Sequence, residues 1–397
     1  MSMTKADREF DIIVYGASGF TGRLVAEYMQ QQYGRSVNWA MAGRSAEKLA
    51  QVRDEMGIDA ATPLVTANAD SADDMAAMVA RTKVIITTVG PYQLYGDALL
   101  AACAAAGTDY VDLSGEPGWM HGTIGAHHDA AKASGARIVH SCGFDSIPFD
   151  LGVYFLQQAA QEKFGRPCRQ VHGRVRAMNG EFSGGTAASL GATMAAVSKN
   201  PDLLGILINP FSLATTDKGA FQGPEQPADN RPYEDAATGQ WVAPFIMAAI
   251  NTKNIHRSNA LLGHAYGEDF LYDEMMVTGT GDEGKAMAEF VATNNPLEGD
   301  DVPQPGEGPD KASREAGNYD VLFIGLTANG ERIEASVGGD MDPGYGSTSK
   351  MLAESAMCLL EDSDGLAGGL YTPAPAMGDK LIKRLCDNAG LYFRMGA

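Results

Sequence analysis

The chain has 397 residues, is 45% hydrophobic and carries a formal net charge of −20. That length suits two ordinary domains, and the acid excess makes nucleic acid and anionic membrane poor partners. No apolar run reaches 18 residues and the start, Met1 to Arg8, is polar, so neither a membrane span nor a signal peptide is expected.

In chain order, Phe10 to Tyr15 is an apolar run that reads as a strand. Gly16-Ala17-Ser18-Gly19-Phe20-Thr21-Gly22 follows, and a helical pattern opens at Arg23. Strand, glycine turn and helix start in this order open a dinucleotide-binding fold. Gly16 permits the tight turn, Gly19 lets backbone approach a pyrophosphate, and Gly22 lets the helix pack on the strand. The helix start offers free N–H groups to the phosphates. A second strand, Val37 to Ala42, ends in Gly43-Arg44-Ser45 with no acid to hold a ribose 2′-hydroxyl. Arg44 instead supplies a planar cation for a 2′-phosphate. Ser45 adds a hydroxyl and also suits the cap of a helix over Ala46 to Glu55. Further strands are expected at Thr62–Val65, Lys83–Val89, Tyr110–Leu113 and Ala136–His140, alternating with helices at Ser71–Arg81, Leu99–Ala106 and His127–Ser134. Such alternation predicts an α/β fold, a doubly wound parallel sheet over residues 1–150.

After Asp150 the pattern changes. Val171 to Arg176 alternates strictly, Ala187 to Ser198 is a small-residue helix, and strands are expected at Phe270–Val277, Tyr319–Ala328 and Arg332–Val337. This predicts a second, α+β domain over residues 151–343 with a largely antiparallel sheet. Two proline-rich stretches, Asp217–Gly239 and Pro296–Gly317, interrupt it, and at least one is expected to be an ordered lid. Helices at Ser347–Leu360 and Ala374–Asp387 form a third segment, 344–397, expected to pack back on the first domain together with Gly390–Arg394.

Ligands in an open parallel sheet sit beyond the carboxyl ends of its strands. That rule assigns Gly16, Ser18, Gly19, Phe20, Thr21, Gly22, Gly43, Arg44 and Ser45 to adenosine and phosphates, and Val89, Gly90 and Pro91 to the nicotinamide side. The expected cofactor is NADP(H). Tyr92 and Asp145 are the candidate catalytic residues, with a wall role for Tyr92 and a capping role for Asp145 as the alternatives. Glu116 reads equally as a surface turn residue, and Cys142 as a structural cysteine. The five cysteines form no CxxC pair, which fits a reduced, cytoplasmic protein. The adjacent His127 and His128 point apart on a helix and no HExxH occurs, so no metal is expected. No YxxxK and no GxSxG occurs, against a Tyr/Lys dehydrogenase and a serine hydrolase. Residues 265–343 hold 18 acidic and 4 basic side chains, whereas residues 151–264 hold 8 and 10. The second stretch is the better one to receive an anionic substrate.

Val14–Gly22, Ala42-Gly43-Arg44, Val89–Tyr92, Tyr110–Glu116 and Cys142–Pro148 together resemble the saccharopine dehydrogenase-like oxidoreductases, most of all the trans-acting enoyl reductases of lipid and polyketide assembly. The resemblance continues through Pro305–Pro309, Asp342–Lys350 and Gly369–Pro373, nearly the whole chain. It implies a Rossmann domain, an α+β substrate domain and C-terminal helices that close back. It implies an NADPH-dependent oxidoreductase acting on an enoyl thioester or related lipid intermediate, free or carrier-bound. A C–N dehydrogenase of amino acids and a non-catalytic nucleotide- or lipid-associated protein are the alternatives, and a homodimer stays open. Phe182–Thr186 falls where the amino-acid branch keeps a Cys-Gly-Gly-Leu-Pro loop, which makes Gly184, Gly185 and Thr186 substrate candidates. Thr186 in place of the Leu weighs against an amino-dicarboxylate.

Overall fold

The computed structural model describes residues 5–180, 184–294 and 307–396. Strands β1 (Phe10–Tyr15), β2 (Trp39–Gly43), β3 (Leu64–Thr66), β4 (Thr82–Thr87), β5 (Asp109–Val111) and β6 (Arg137–Val139) form a parallel sheet in the order 3-2-1-4-5-6. In β4, Ile85 enters the core on one face with Ile13, while Val84 and Ile86 enter the core on the other with Ile12 and Val14. Burial on both faces explains the unbroken apolar run. Between the strands lie α1 (Phe20–Gln32), α2 (Ala46–Glu55), α3 (Ala72–Val79), the single turn α4 (Tyr92–Tyr95), α5 (Asp97–Ala106) and α6 (Pro117–Ser134). Ser45 and Ser71 cap α2 and α3, accepting from Lys48 N and Asp74 N at 3.2 Å each.

The helix α7 (Ile147–Phe164) leads out of this sheet and lies against a second one. That sheet uses β7 (Cys168–Asn179), β8 (Tyr233–Asp235), β9 (Gln240–Pro244), β10 (Leu271–Gly279), β11 (Asn318–Thr327) and β12 (Arg332–Gly339). All its pairs are antiparallel except β7 with β10. α8 (Gly184–Lys199) and α9 (Leu203–Ile208) lie against α4 and α6 of the first domain, α10 (Ala248–Leu261) and α11 (Gly281–Thr293) pack on the second sheet, and α12 (Lys311–Ala316) precedes β11. No described helix is long and apolar enough to cross a membrane.

The chain then returns. α13 (Thr348–Glu361) packs on α1, β4 and β5, and β13 (Gly369–Tyr371) adds a seventh strand beside β6. α14 (Pro373–Asn388) packs on α13 and α7. The last strand, β14 (Leu391–Met395), corrects an expectation: it pairs with β12 in the second sheet, not with the first domain. It closes an edge that β12 would otherwise leave open, and Gly338 leaves the room that the Tyr392 ring fills. One hydrophobic core runs from Val14 and Ile86 through Phe149 and Leu156 of α7 to Phe323, Val337, Leu352 and Leu381, so both sheets and the C-terminal helices share it.

Candidate active site

The phosphate turn is built from absent side chains. Gly16 has φ +90°, and a Cβ there would meet Thr88 Oγ1 at 2.7 Å and Val89 Cγ2 at 2.8 Å. A Cβ on Gly22 would run into the Gly16 carbonyl. The turn is pinned by Gly16 N and Ala17 N donating to Ala42 O at 2.9 and 3.1 Å, and by Gly19 N donating to Gly16 O at 2.9 Å. Gly19 is the N-cap of α1 and brings no side-chain cap, so the helix start keeps its N–H groups for an anion. Gly43 stands beside this turn, since a Cβ on it would lie 3.5 Å from Ser18 Oγ. Arg44 next to it is exposed, with no hydrogen bond or ion pair among the described residues. A cradle that side chains would fill, flanked by an uncommitted guanidinium, fits a dinucleotide with a 2′-phosphate.

Two residues of the cofactor set are otherwise engaged. The Ser45 hydroxyl holds the α2 cap. The Phe20 ring packs edge-on against Tyr345 at 5.1 Å and lies under Arg314, 5.9 Å away. Gly308 also sits against this ring, where a Cβ would collide with it. The described part of the second proline-rich stretch, residues 307–317, is thus seated over the phosphate turn, whereas Pro296 to Gly306 lie outside the described residues. Of the first stretch, Asp235 is ordered by a buried ion pair with Arg174 at 2.9 Å.

Beyond β4, Val89, Gly90 and Pro91 lead into α4. Tyr92 is only 3% exposed, and its ring stacks on Trp119 at 5.3 Å. Its hydroxyl donates to Thr87 O at 3.1 Å and accepts from Leu113 N at 3.3 Å. Burial also pushes its pKa well above the ordinary phenol value. A hydroxyl committed to two backbone groups in the core is not placed to protonate a substrate, so of the two roles read for Tyr92 the geometry favours the wall. Glu116 corrects the surface-turn reading: it is 2% exposed. Cys142 is buried, with a thiol pushed up by that burial and by the nearby Asp112.

Asp145 stands in the opposite condition. It lies half-buried at the start of α7, where Ser146 takes the N-cap position, so Asp145 does not cap the helix. Among the described residues its carboxyl has no hydrogen bond and no cation within ion-pair distance. It faces Gly115, whose Cβ position is 3.9 Å from Oδ2 and 4.0 Å from Met247 Cε. Burial pushes its pKa up to about 6. Ser146 beside it donates to Asn251 Oδ1 at 3.1 Å and accepts from Asn254 Nδ2 at 2.7 Å, which ties the site to α10 of the second domain.

The strand ends are fixed by a network that the sequence reading missed. Asp112 accepts from Tyr110 OH at 3.0 Å, Ser114 N at 3.0 Å and Ser141 N at 2.8 Å, and pairs with His140 Nδ1 at 2.7 Å. Alternation along Tyr110 to Ser114 was its visible trace. Gly184, Gly185 and Thr186 open α8, and only their backbone is described; Phe182 and Ser183 lie outside the described residues. Among the described residues no group of three or more His, Cys, Asp or Glu is placed to hold a metal.

Comparison with known proteins agrees with this geometry. The profile of the saccharopine dehydrogenase NADP binding domain matches residues 12–139. A protein of Mycobacterium tuberculosis (strain ATCC 25618 / H37Rv), whose name provisionally makes it a trans-acting enoyl reductase, is 43% identical over 407 residues, covering 96% of this chain and 97% of its own. The trans-acting enoyl reductase of Mycobacterium bovis (strain BCG / Pasteur 1173P2) is 40% identical over 409 residues, with the same coverage. The apo saccharopine dehydrogenase (L-Glu forming) of Saccharomyces cerevisiae superposes with a TM-score of 0.55 at 11% identity over 98% of this chain and all of its own, which shows the same fold. The chain belongs to the saccharopine dehydrogenase-like oxidoreductases, on the branch of the trans-acting enoyl reductases, and is an NADP-dependent oxidoreductase.

Proposed function

We propose that the chain reduces the carbon–carbon double bond of an enoyl thioester, with Asp145 as the proton donor. The single observation that carries this is the half-buried Asp145 carboxyl, which has no partner among the described residues, faces Gly115 and Met247, and is pushed up to about 6 by its burial. NADPH, when bound, supplies the hydride to the carbon β to the thioester. The electron pair of the double bond then moves onto the thioester as an enolate, and the Asp145 carboxyl gives its proton to the α carbon. The product is the saturated thioester, and Asp145 regains a proton from water. A carboxyl with a pKa raised toward neutrality is suited to this transfer.

Exposed apolar side chains on α8 and α9 support an acyl chain as the rest of the substrate. Leu204 and Ile208 of α9 are 51% and 72% exposed, and Met194 of α8 is 60% exposed. α8 packs on both α4 and α9. Large apolar side chains left bare on two helices in contact suit an apolar ligand. Of Trp241 to Ile250, by contrast, Val242, Ala243, Phe245, Ala248 and Ile250 are buried in the protein's own core. The names of the relatives point to the same reaction class. The test is purified protein with NADPH and a panel of enoyl thioesters, 2-oxo acids with amine, and simple ketones, following cofactor oxidation and product mass. Turnover of the thioesters supports the reading; turnover confined to the 2-oxo acid and amine overturns it.

A further inference from the structure

Glu116 is a buried carboxylate with no cation within ion-pair distance among the described residues. Burying a charge without a counter-ion is costly unless hydrogen bonds replace water. Three donors do so. Tyr92 N donates to Oε1 at 2.8 Å, Gln93 N to Oε2 at 2.9 Å, and Ser189 Oγ to Oε1 at 3.0 Å. The first two come from the turn that follows Val89–Pro91. The third comes from α8, the helix that opens with Gly184, Gly185 and Thr186. A second tie runs alongside, from Gln93 Nε2 to Thr193 Oγ1 at 3.1 Å. Ser189 and Thr193 are four residues apart and share one helical face, so that face of α8 is seated on the turn at residues 92–93 with Glu116 between them. Glu116 also follows Gly115, which forms the wall opposite Asp145.

We infer that Glu116 is a positioning residue that clamps α8 to the nicotinamide-side loop, so that seating of the substrate helix and the shape of the cleft are set together. The carboxylate is specific to the task. Two backbone N–H groups meet its two oxygens, and the amide of a glutamine would turn one acceptor into a donor facing a donor. The substrate part of this inference rests on the enoyl reductase reading; the clamp itself does not.

The experiment is hydrogen exchange by mass spectrometry on the full chain with NADPH, for wild type, Glu116→Gln, Ser189→Ala and Ser189→Thr. Residues 184–199 should exchange about tenfold faster in Glu116→Gln and Ser189→Ala, the size expected for losing one bond to a charged group. Residues 82–87 of β4 should stay protected, and Ser189→Thr, which keeps the hydroxyl, should return α8 to wild-type exchange. With an enoyl thioester, Ser189→Ala should raise KM about tenfold and leave kcat and NADPH affinity within twofold. Unchanged exchange of α8 in both variants overturns the clamp, and so does loss of protection throughout the first sheet. A wild type that reduces no thioester sinks the proposed reaction, while the exchange data still decide the clamp.

Discussion

At the scale of single residues, the glycine triad was legible because its requirement is a backbone one: Gly16 and Gly22 are needed where a Cβ would collide. Arg44 stands beside that turn as a cation at a strand end with no acid in place, and is proposed to meet a 2′-phosphate. Its uncommitted guanidinium leads to a first prediction. Arg44→Ala should weaken NADPH binding tenfold to a hundredfold, since a charged contact is worth roughly 1.5–3 kcal/mol, and should leave NADH binding unchanged. Titration of both cofactors checks this, and equal binding of the two by wild type would contradict it. What single residues did not reveal is burial. Tyr92 and Asp145 both follow strands of the first sheet, yet the Trp119 ring stacks on one and no described residue pairs with the other.

Asp145 carries the pH prediction. Burial pushes its carboxyl up to about 6 in the fold, against an ordinary value of 3.8. The fold therefore binds the extra proton, so this contribution to stability is complete below about pH 4 and lost as pH rises through about 6. Asp145→Asn should raise the unfolding midpoint at pH 7.5 and converge on wild type near pH 4. Activity should move the other way. Wild-type kcat/KM should fall above about pH 6, and the variant should be lower by roughly a hundredfold and lack that limb. An unchanged pH–rate profile in the variant would remove Asp145 from catalysis.

At the scale of elements, strands with both faces buried and helices with serine caps were readable: β1 and α2 fall where the sequence puts them. α6 was read only from His127, although it starts at Pro117, because Gly118, Gly122 and Gly125 weaken the helical signal. Pro117 at the first turn suits a helix start, and Gly122 and Gly125 have open space, so the cost is tolerated. α10 was missed altogether. Its residues Asn251-Thr252-Lys253-Asn254 and His256-Arg257-Ser258-Asn259 are polar and leave no apolar stripe, yet all are buried. Periodicity cannot find a helix that is buried on every side and whose polar groups are held by tertiary hydrogen bonds. Asn251 shows how they work. It donates to Glu274 Oε1 at 2.7 Å and accepts from Ser146 Oγ. Asn251→Ala should destabilise the fold by about 1–3 kcal/mol by leaving a buried oxygen unsatisfied. A urea midpoint indistinguishable from wild type would contradict that role.

At the scale of the molecule, the chain is interleaved: β13 completes the first sheet and β14 the second. The C-terminal helices were legible in the sequence and their return was what the family resemblance implies, but the destination of β14 was not legible, because a short strand fits any open edge. Thr348 makes the return part of the site, as its hydroxyl accepts from Phe144 N at 2.9 Å and donates to Pro343 O at 2.9 Å. Truncation after Asp342 removes a strand from each sheet and α13 from the shared core. It should abolish NADPH binding and cooperative unfolding, and a truncated chain that melts and binds like the parent would contradict the shared core. The central claim, delivery of a hydride to an enoyl thioester in this cleft, is tested most directly by following isotope from the cofactor into the product. With NADPH deuterated at nicotinamide C4 on the transferred face, one deuterium should appear at the β carbon of the saturated thioester. In deuterated water with ordinary NADPH, one should appear at the α carbon. Cofactor deuterium found instead on the nitrogen-bearing carbon of an amino acid, or in no product at all, would contradict the account.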